Sequence, residues 1–110
     1  MAAIKVNFKL NKASGAEERV KLSLGGKTIV LSFDGQGKDS EILDESDLYF
    51  VRWYFLGHEG DEMSVDYSYV NTAGAQQQGE LIKSFKLDGR YARPYPGNLW
   101  IDEGTTAFRP

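Results

Sequence analysis

The chain contains one histidine and no cysteine, which narrows the chemistry that it can perform. His58 stands in the segment Gly57–Asp61, beside Glu59 and Asp61, where an imidazole could act as a general base or as a single metal ligand. Zinc sites take several nitrogen or sulfur ligands, and one imidazole cannot supply them. In the alternative interpretation, His58 is an exposed turn residue, because the nearby Gly57 and Gly60 are typical of turns. We therefore expect no catalytic residue and predict that the protein is not an enzyme.

Carboxylates are concentrated between residues 34 and 66, where ten of them accompany only two cations. The candidate metal ligands among them are Asp34, Asp39, Asp44 and Asp47. Calcium prefers hard oxygen ligands of this kind, but Lys38 interrupts the spacing of an EF-hand loop. The alternative is a solvated acidic loop that keeps the protein soluble. We expect no obligatory cofactor, with calcium as the one ion that the loop could hold.

Aromatic and polar residues cluster in a proline-bounded stretch near the C-terminus. The candidate ligand-binding residues are Tyr91, Arg93, Tyr95, Asn98, Trp100 and Asp102. Sugars stack their C–H faces on aromatic rings and hydrogen-bond to Asn, Asp or Arg, so the cluster fits a carbohydrate site. The same residue types dominate protein–protein hot spots. In the alternative interpretation, Tyr95 and Trp100 only cap the open end of the fold.

Size and charge restrict the class of protein. A chain of 110 residues with 41% hydrophobic and 13% aromatic content can build one core, so we expect a single domain spanning 1–110. The net charge of -3 argues against a nucleic-acid partner. No apolar run is long enough to cross a bilayer and the N-terminus lacks the pattern of a signal peptide, which predicts a cytoplasmic protein without membrane insertion.

Hydrophobic residues recur with a period of two, which is typical of strands with one buried face. The first strand is predicted around Ile4–Leu10. A second and a third would meet at a turn formed by Gly25 and Gly26, which would pair Leu22 with Ile29 and Val20 with Leu31. That register places all four apolar side chains on the same face.

The segment Leu48–Leu56 is apolar on both faces and predicts a central strand covered on both sides. We expect it to pair with the strand that follows the turn, with Phe55 opposite Met63 and Arg52 opposite Asp66. Its outward apolar residues would need cover from the acidic loop or from another subunit. These outward residues are Phe50, Tyr54 and Leu56.

The remaining segments are assigned by local composition. Ser40–Asp47 is the one segment in which we expect a helical turn, and Asn71–Gly79 is predicted to be a flexible loop. Leu81–Leu87 is predicted as a strand, whereas Leu99–Asp102 and Thr105–Phe108 are expected to form two separate short strands.

These patterns predict an all-β, single-domain antiparallel β-sandwich of about seven or eight strands, immunoglobulin-like in arrangement, with a small closed β-barrel as the runner-up. The functional hypothesis is a non-enzymatic binding module that acts through loops or a sheet edge, with a protein partner or by self-association. The alternative is a carbohydrate-binding, lectin-like domain assisted by calcium.

Overall fold

The protein is built of nine β-strands in the part of the chain that the structure describes. The computed structural model describes residues 3–12, 19–24, 27–32, 38–90, 92–95 and 99–110. The strands are β1 (Ala3–Lys12), β2 (Arg19–Leu24), β3 (Lys27–Ser32), β4 (Lys38–Asp44), β5 (Tyr49–Gly57), β6 (Glu62–Val70), β7 (Gln76–Lys86), β8 (Arg93–Tyr95) and β9 (Leu99–Phe108). Within these ranges there is no helix, so the all-β prediction is confirmed.

The strands form two antiparallel sheets that pack face to face. One sheet has the order β4-β1-β6-β7, and the other has the order β3-β2-β5-β9-β8. The prediction of a β-sandwich is therefore confirmed, but the immunoglobulin-like arrangement is not. The immunoglobulin order places the first two strands side by side, whereas β1 lies here between β4 and β6, in the other sheet from β2.

The core lies between the sheets and is filled by alternate residues of their strands. In β1, Ile4, Val6, Phe8 and Leu10 are buried, while the lysines between them are exposed. The same period buries Val20, Leu22 and Leu24 of β2 and Val51, Trp53 and Phe55 of β5. Aromatic rings from the two sheets meet edge to face, as in the pair Phe8 and Phe108, whose centroids are 6.3 Å apart.

The predicted register of the β2–β3 pair is confirmed. Leu22 pairs with Ile29 and Val20 pairs with Leu31. The two glycines proposed for the turn, residues 25 and 26, lie outside the described residues. The register could be predicted because a two-residue connection leaves one pairing that keeps the apolar residues on one face.

The predicted pairing of β5 with β6 is wrong. β5 pairs with β2 and β9 in the five-stranded sheet, and β6 pairs with β1 and β7 in the other. The supposed partners Arg52 and Asp66 are thus in different sheets. A period of two indicates which face of a strand is buried, but it is the same for strands that lie side by side and for strands that face each other across a core.

The turn between β5 and β6 carries the chain from one sheet to the other. The carboxylate of Asp61 accepts a hydrogen bond of 2.7 Å from the backbone N–H of His58, and Gly60 adopts a φ of 92°. The backbones of Gly60 and Asp61 are hydrogen-bonded to Leu87, at 2.8 Å each. These contacts fix the corner and send β6 away from β5.

Three local assignments also differ from the structure. Ser40–Asp47 does not form a helical turn, because its first five residues belong to β4, where Leu43 is buried opposite Ile4 of β1. The predicted loop Asn71–Gly79 is shorter, since β7 begins at Gln76 and its glutamines pair with β6 through backbone groups. The two short C-terminal strands are one strand, β9.

Candidate functional site

The most exposed aromatic side chain of the central strand lies on the outer face of the five-stranded sheet. Val51, Trp53 and Phe55 of β5 point into the core, and the residues that alternate with them point outward. Phe50 is 67% exposed. The four-stranded sheet covers only the inner face of β5, so the cover predicted for the outer face does not come from the second sheet.

Neighbouring strands complete this outer face through the register of the sheet. One row crosses four strands and places Leu56 and Ile101 between two arginines, Arg19 and Arg93. The adjacent row places Tyr54 between Lys21 and Glu103. A shallow depression of about 260 Å³ lies over Arg19, Lys21, Tyr54, Leu56 and Ile101.

Cations surround the apolar centre of this depression. The side chains of Lys21 and Arg52 lie over the ring of Tyr54, at 6.0 and 5.4 Å from its centroid. Glu103 lies 3.6 Å from Arg52 and 3.5 Å from Arg93. Arg52 thus has a different acidic neighbour from the one that the sequence predicted.

We call this surface the cationic face. Its members are Arg19, Lys21, Arg52, Arg93, Phe50, Tyr54, Leu56, Ile101 and Glu103. Four cations accompany one carboxylate, in a protein whose net charge is -3. This side of the sandwich therefore has a local excess of three positive charges beside exposed apolar surface. The arrangement suits the binding of an acidic surface that also carries apolar groups.

His58 belongs to the sheet-to-sheet corner. Its Nδ1 lies 3.7 Å from the buried carboxylate of Asp61, which also accepts the backbone hydrogen bond of the turn. No cluster of three or more His, Cys, Asp or Glu side chains that could hold a metal occurs among the described residues. The geometry gives Asp61 a role in shaping the corner of the fold.

The predicted calcium ligands are placed along and beyond β4, and Asp34 lies outside the described residues. Asp39 and Asp44 are five residues apart on one strand, so they lie about 16 Å apart and alternate to opposite faces. Asp44 Oδ1 accepts hydrogen bonds from the N–H and Oγ of Ser46, at 3.0 and 2.7 Å. The structure does not bring the described carboxylates together around one point.

The two acidic loops also lie at opposite ends of the sandwich. Asp47 precedes β5 and Glu59 follows it, so the whole length of that nine-residue strand separates them. The backbone N–H of Thr72 in the β6–β7 turn donates a 2.9 Å hydrogen bond to Glu45, which ties the first acidic segment to the end opposite His58.

The predicted carbohydrate-binding residues are divided by the sheet. Tyr91 and Asn98 lie outside the described residues, as does the side chain of Tyr95. Arg93 is in register with Ile101 and belongs to the outer face. Trp100 packs against the core, and Asp102 is paired with the inward-facing Phe55. The structure thus places Trp100 and Asp102 on the opposite side of the sheet from Arg93.

A second concavity lies between β7 and β9, on the open side of the sandwich, with a volume of about 580 Å³. Two glycines flank it, each paired with an aromatic residue: Gly79 with Tyr67 and Gly104 with Trp53. A Cβ built on either glycine would come within 3.0 Å of the paired ring. The rings therefore lie across the glycine backbones. This arrangement could not be predicted from the sequence, because it depends on which strands pair and in which register.

The aromatic rings of this concavity pack against each other. Trp53 meets Phe85 edge to face with centroids 5.0 Å apart, and Tyr67 meets Phe108 in the same way at 4.8 Å. Trp53 and Tyr67 thus each lie against a glycine backbone on one side and against a second aromatic ring on another. We assign these contacts to the packing of the two sheets.

No family model, curated protein or solved structure matches the chain. The described residues contain no helix whose length and hydropathy would allow it to span a bilayer.

Proposed function

We propose that the protein is a non-catalytic interaction module that binds the acidic surface of a protein partner through the cationic face. The observation that supports this proposal best is the exposure of Phe50 on the central strand of a sheet. An aromatic side chain at that position has a rigid backbone beneath it, so it loses little conformational freedom when a partner covers it.

The composition of the cationic face matches that of binding hot spots. Aromatic residues and arginine contribute most of the energy in protein interfaces, and Phe50, Tyr54 and Arg52 lie along one strand. Burying apolar area is worth about 25 cal/mol per Å². Covering an exposed phenylalanine would therefore stabilise a complex by about 2 kcal/mol before the cost of association.

Charge favours an acidic partner over a neutral one. Arg19 and Lys21 lie on the same edge of the depression, and the two arginines near Glu103 share that one carboxylate. The excess positive charge would steer a negatively charged surface toward the face and raise the rate of association at low salt. The affinity is therefore expected to fall as the ionic strength rises.

Carbohydrate binding receives less support from the structure. That hypothesis depended on Trp100 as a stacking platform and on Arg93 and Asp102 as hydrogen-bonding groups. Trp100 packs against the core, and the sheet separates it from Arg93. The protein-binding hypothesis instead uses residues that share one face.

Site-specific photo-crosslinking tests the proposal. Benzoylphenylalanine replaces Phe50 in one variant and Val70 in the other, because Val70 is a similarly exposed apolar residue, at 54%, on the four-stranded sheet. We expect an adduct with another polypeptide at position 50 that weakens when Lys21→Glu is added. Equal adducts at both positions, or an adduct at position 70 alone, would contradict the assignment of the site.

A further inference from the structure

The chain carries a second charged and apolar surface along the edge of the four-stranded sheet. We call it the acidic strip. Its members lie on both sides of the edge strand β4 and in the turn that follows it: Asp39, Glu41, Ile42, Asp44, Glu45, Asp47 and Leu48. Residues 39 to 48 contain five carboxylates and no lysine or arginine. Ile42 is 51% exposed and Leu48 is 42% exposed, so apolar surface accompanies the negative charge.

The acidic strip and the cationic face match in charge and in dimensions. β4 has seven residues and is therefore about 23 Å long. The cationic face extends from Phe50 to Leu56 along β5, over about 20 Å, and across four strands, over about 14 Å. β4 is an edge strand of its sheet and pairs with β1 alone among the described strands.

We propose that a second copy of this chain occupies the cationic face, by placing its acidic strip there. This inference rests on the proposed function of the cationic face and adds the identity of the partner. The contact joins two different patches of the chain, one on each sheet. The contact is head-to-tail, and repeating it gives an open chain of molecules unless a ring closes.

The size of the face limits the strength of this association. Stable complexes bury about 800 Å² on each partner, and the face measures only about 20 by 14 Å. The assembly should therefore be weak, and it should appear only at high protein concentration and low salt. Salt of about 0.5 M reduces the Debye length to about 4 Å and should return the protein to monomers.

Two charge-reversal variants of the whole chain test the contact. Arg19→Glu with Lys21→Glu changes the cationic face, and Asp39→Lys with Asp47→Lys changes the acidic strip. The matched controls reverse charges away from both surfaces, on β7 and in the β5–β6 turn: Lys83→Glu with Lys86→Glu, and Glu59→Lys with Glu80→Lys. Circular dichroism confirms the fold of each variant before sedimentation velocity is measured over a range of concentrations.

We expect the wild type and both controls to sediment faster as concentration rises, and each test variant alone to remain monomeric. An equimolar mixture of the two test variants retains one intact face and one intact strip, so it should form dimers and nothing larger. Assembly of either test variant alone, or no dimer in the mixture, overturns the head-to-tail contact. If the wild type stays monomeric while position 50 still crosslinks another protein, self-association fails but the proposed function stands. If position 50 also gives no adduct above that at position 70, both self-association and the proposed function fail.

Discussion

Replacement of Gly104 by alanine should destabilise the protein through one contact. A Cβ at residue 104 would overlap Cζ2 of Trp53, well inside the distance that non-bonded carbon atoms keep. Trp53 cannot move aside easily, because it is buried and its other neighbour is Phe85, at 5.0 Å between centroids. Overpacking of this kind costs about 1–3 kcal/mol.

A second effect partly offsets that cost. Gly104 has no positive φ, so alanine suits its backbone and reduces the entropy of the unfolded chain, which stabilises the protein by about 0.5 kcal/mol. The net expected loss is about 0.5–2.5 kcal/mol. For a chain of this size, each 1 kcal/mol lowers the melting temperature by about 4 °C.

A double-mutant cycle with Trp53→Phe isolates the contact. Phenylalanine lacks the outer indole atoms that the new methyl group would meet, so Gly104→Ala should be neutral or slightly stabilising in that background. Urea unfolding followed by far-ultraviolet circular dichroism gives the free energy of unfolding of all four proteins. If Gly104→Ala costs the same in both backgrounds, or stabilises the wild type, the reasoning about the glycine and the indole is refuted.

Three further predictions follow from burial. Phe50→Ala should change the free energy of unfolding by less than about 0.5 kcal/mol, whereas Phe55→Ala should cost about 3–5 kcal/mol; equal losses in urea unfolding would show that Phe50 is not exposed. The pKa of Tyr69 is raised above its ordinary value of 10.0, mainly because burial disfavours the phenolate. As the pH rises, the phenol of Tyr69 therefore loses its proton in the unfolded chain before it does so in the folded protein. The free energy of unfolding should fall as the pH rises through 10 toward the raised pKa. Tyr69→Phe should flatten that part of the stability curve, and an unchanged slope would speak against the burial. Trp100→Ala should cost about 2 kcal/mol by loss of packing; sugar binding that disappears without any loss of stability would instead support the carbohydrate hypothesis.

The alternation of apolar residues was enough to predict the class of fold. It identified the inward residues of β1, and a two-residue turn fixed the register of β2 with β3. The central position of β5 was predicted from apolar residues on both of its faces. In each of these cases the decisive information is local. Alternation describes a single strand, and a tight turn relates two strands that are adjacent in sequence.

The choice of neighbours between distant strands could not be predicted in the same way. The pairing of β1 with β4 and β6 depends on where the whole chain packs, and the charged composition of residues 38–44 resembles that of a loop. β4 forms because β1 offers it hydrogen bonds and because Leu43 reaches the core. A single buried leucine is too weak a signal to be detected by its periodicity.

The candidate site was predicted in part. The outward residues Phe50, Tyr54 and Leu56 were identified as a surface that needs cover, and all three belong to the cationic face. Arg19, Lys21 and Arg93 could not be added from sequence, because they come from β2 and β8 and meet β5 only through the sheet order. The C-terminal cluster was proposed from proximity in sequence, which does not distinguish the two faces of a strand.

Backbone amide chemical shifts measured by NMR as the protein is concentrated at low salt test most directly which surface of the sandwich binds. We predict that shifts change first around Lys21, Tyr54 and Leu56 on the cationic face and around Asp47 on the acidic strip, and that 0.5 M salt reverses them. Ser68, on the outer face of the other sheet, serves as the reference and should not change. Changes centred on Ser68 and its neighbours, with none around Tyr54, would contradict the assignment of the five-stranded sheet as the binding surface.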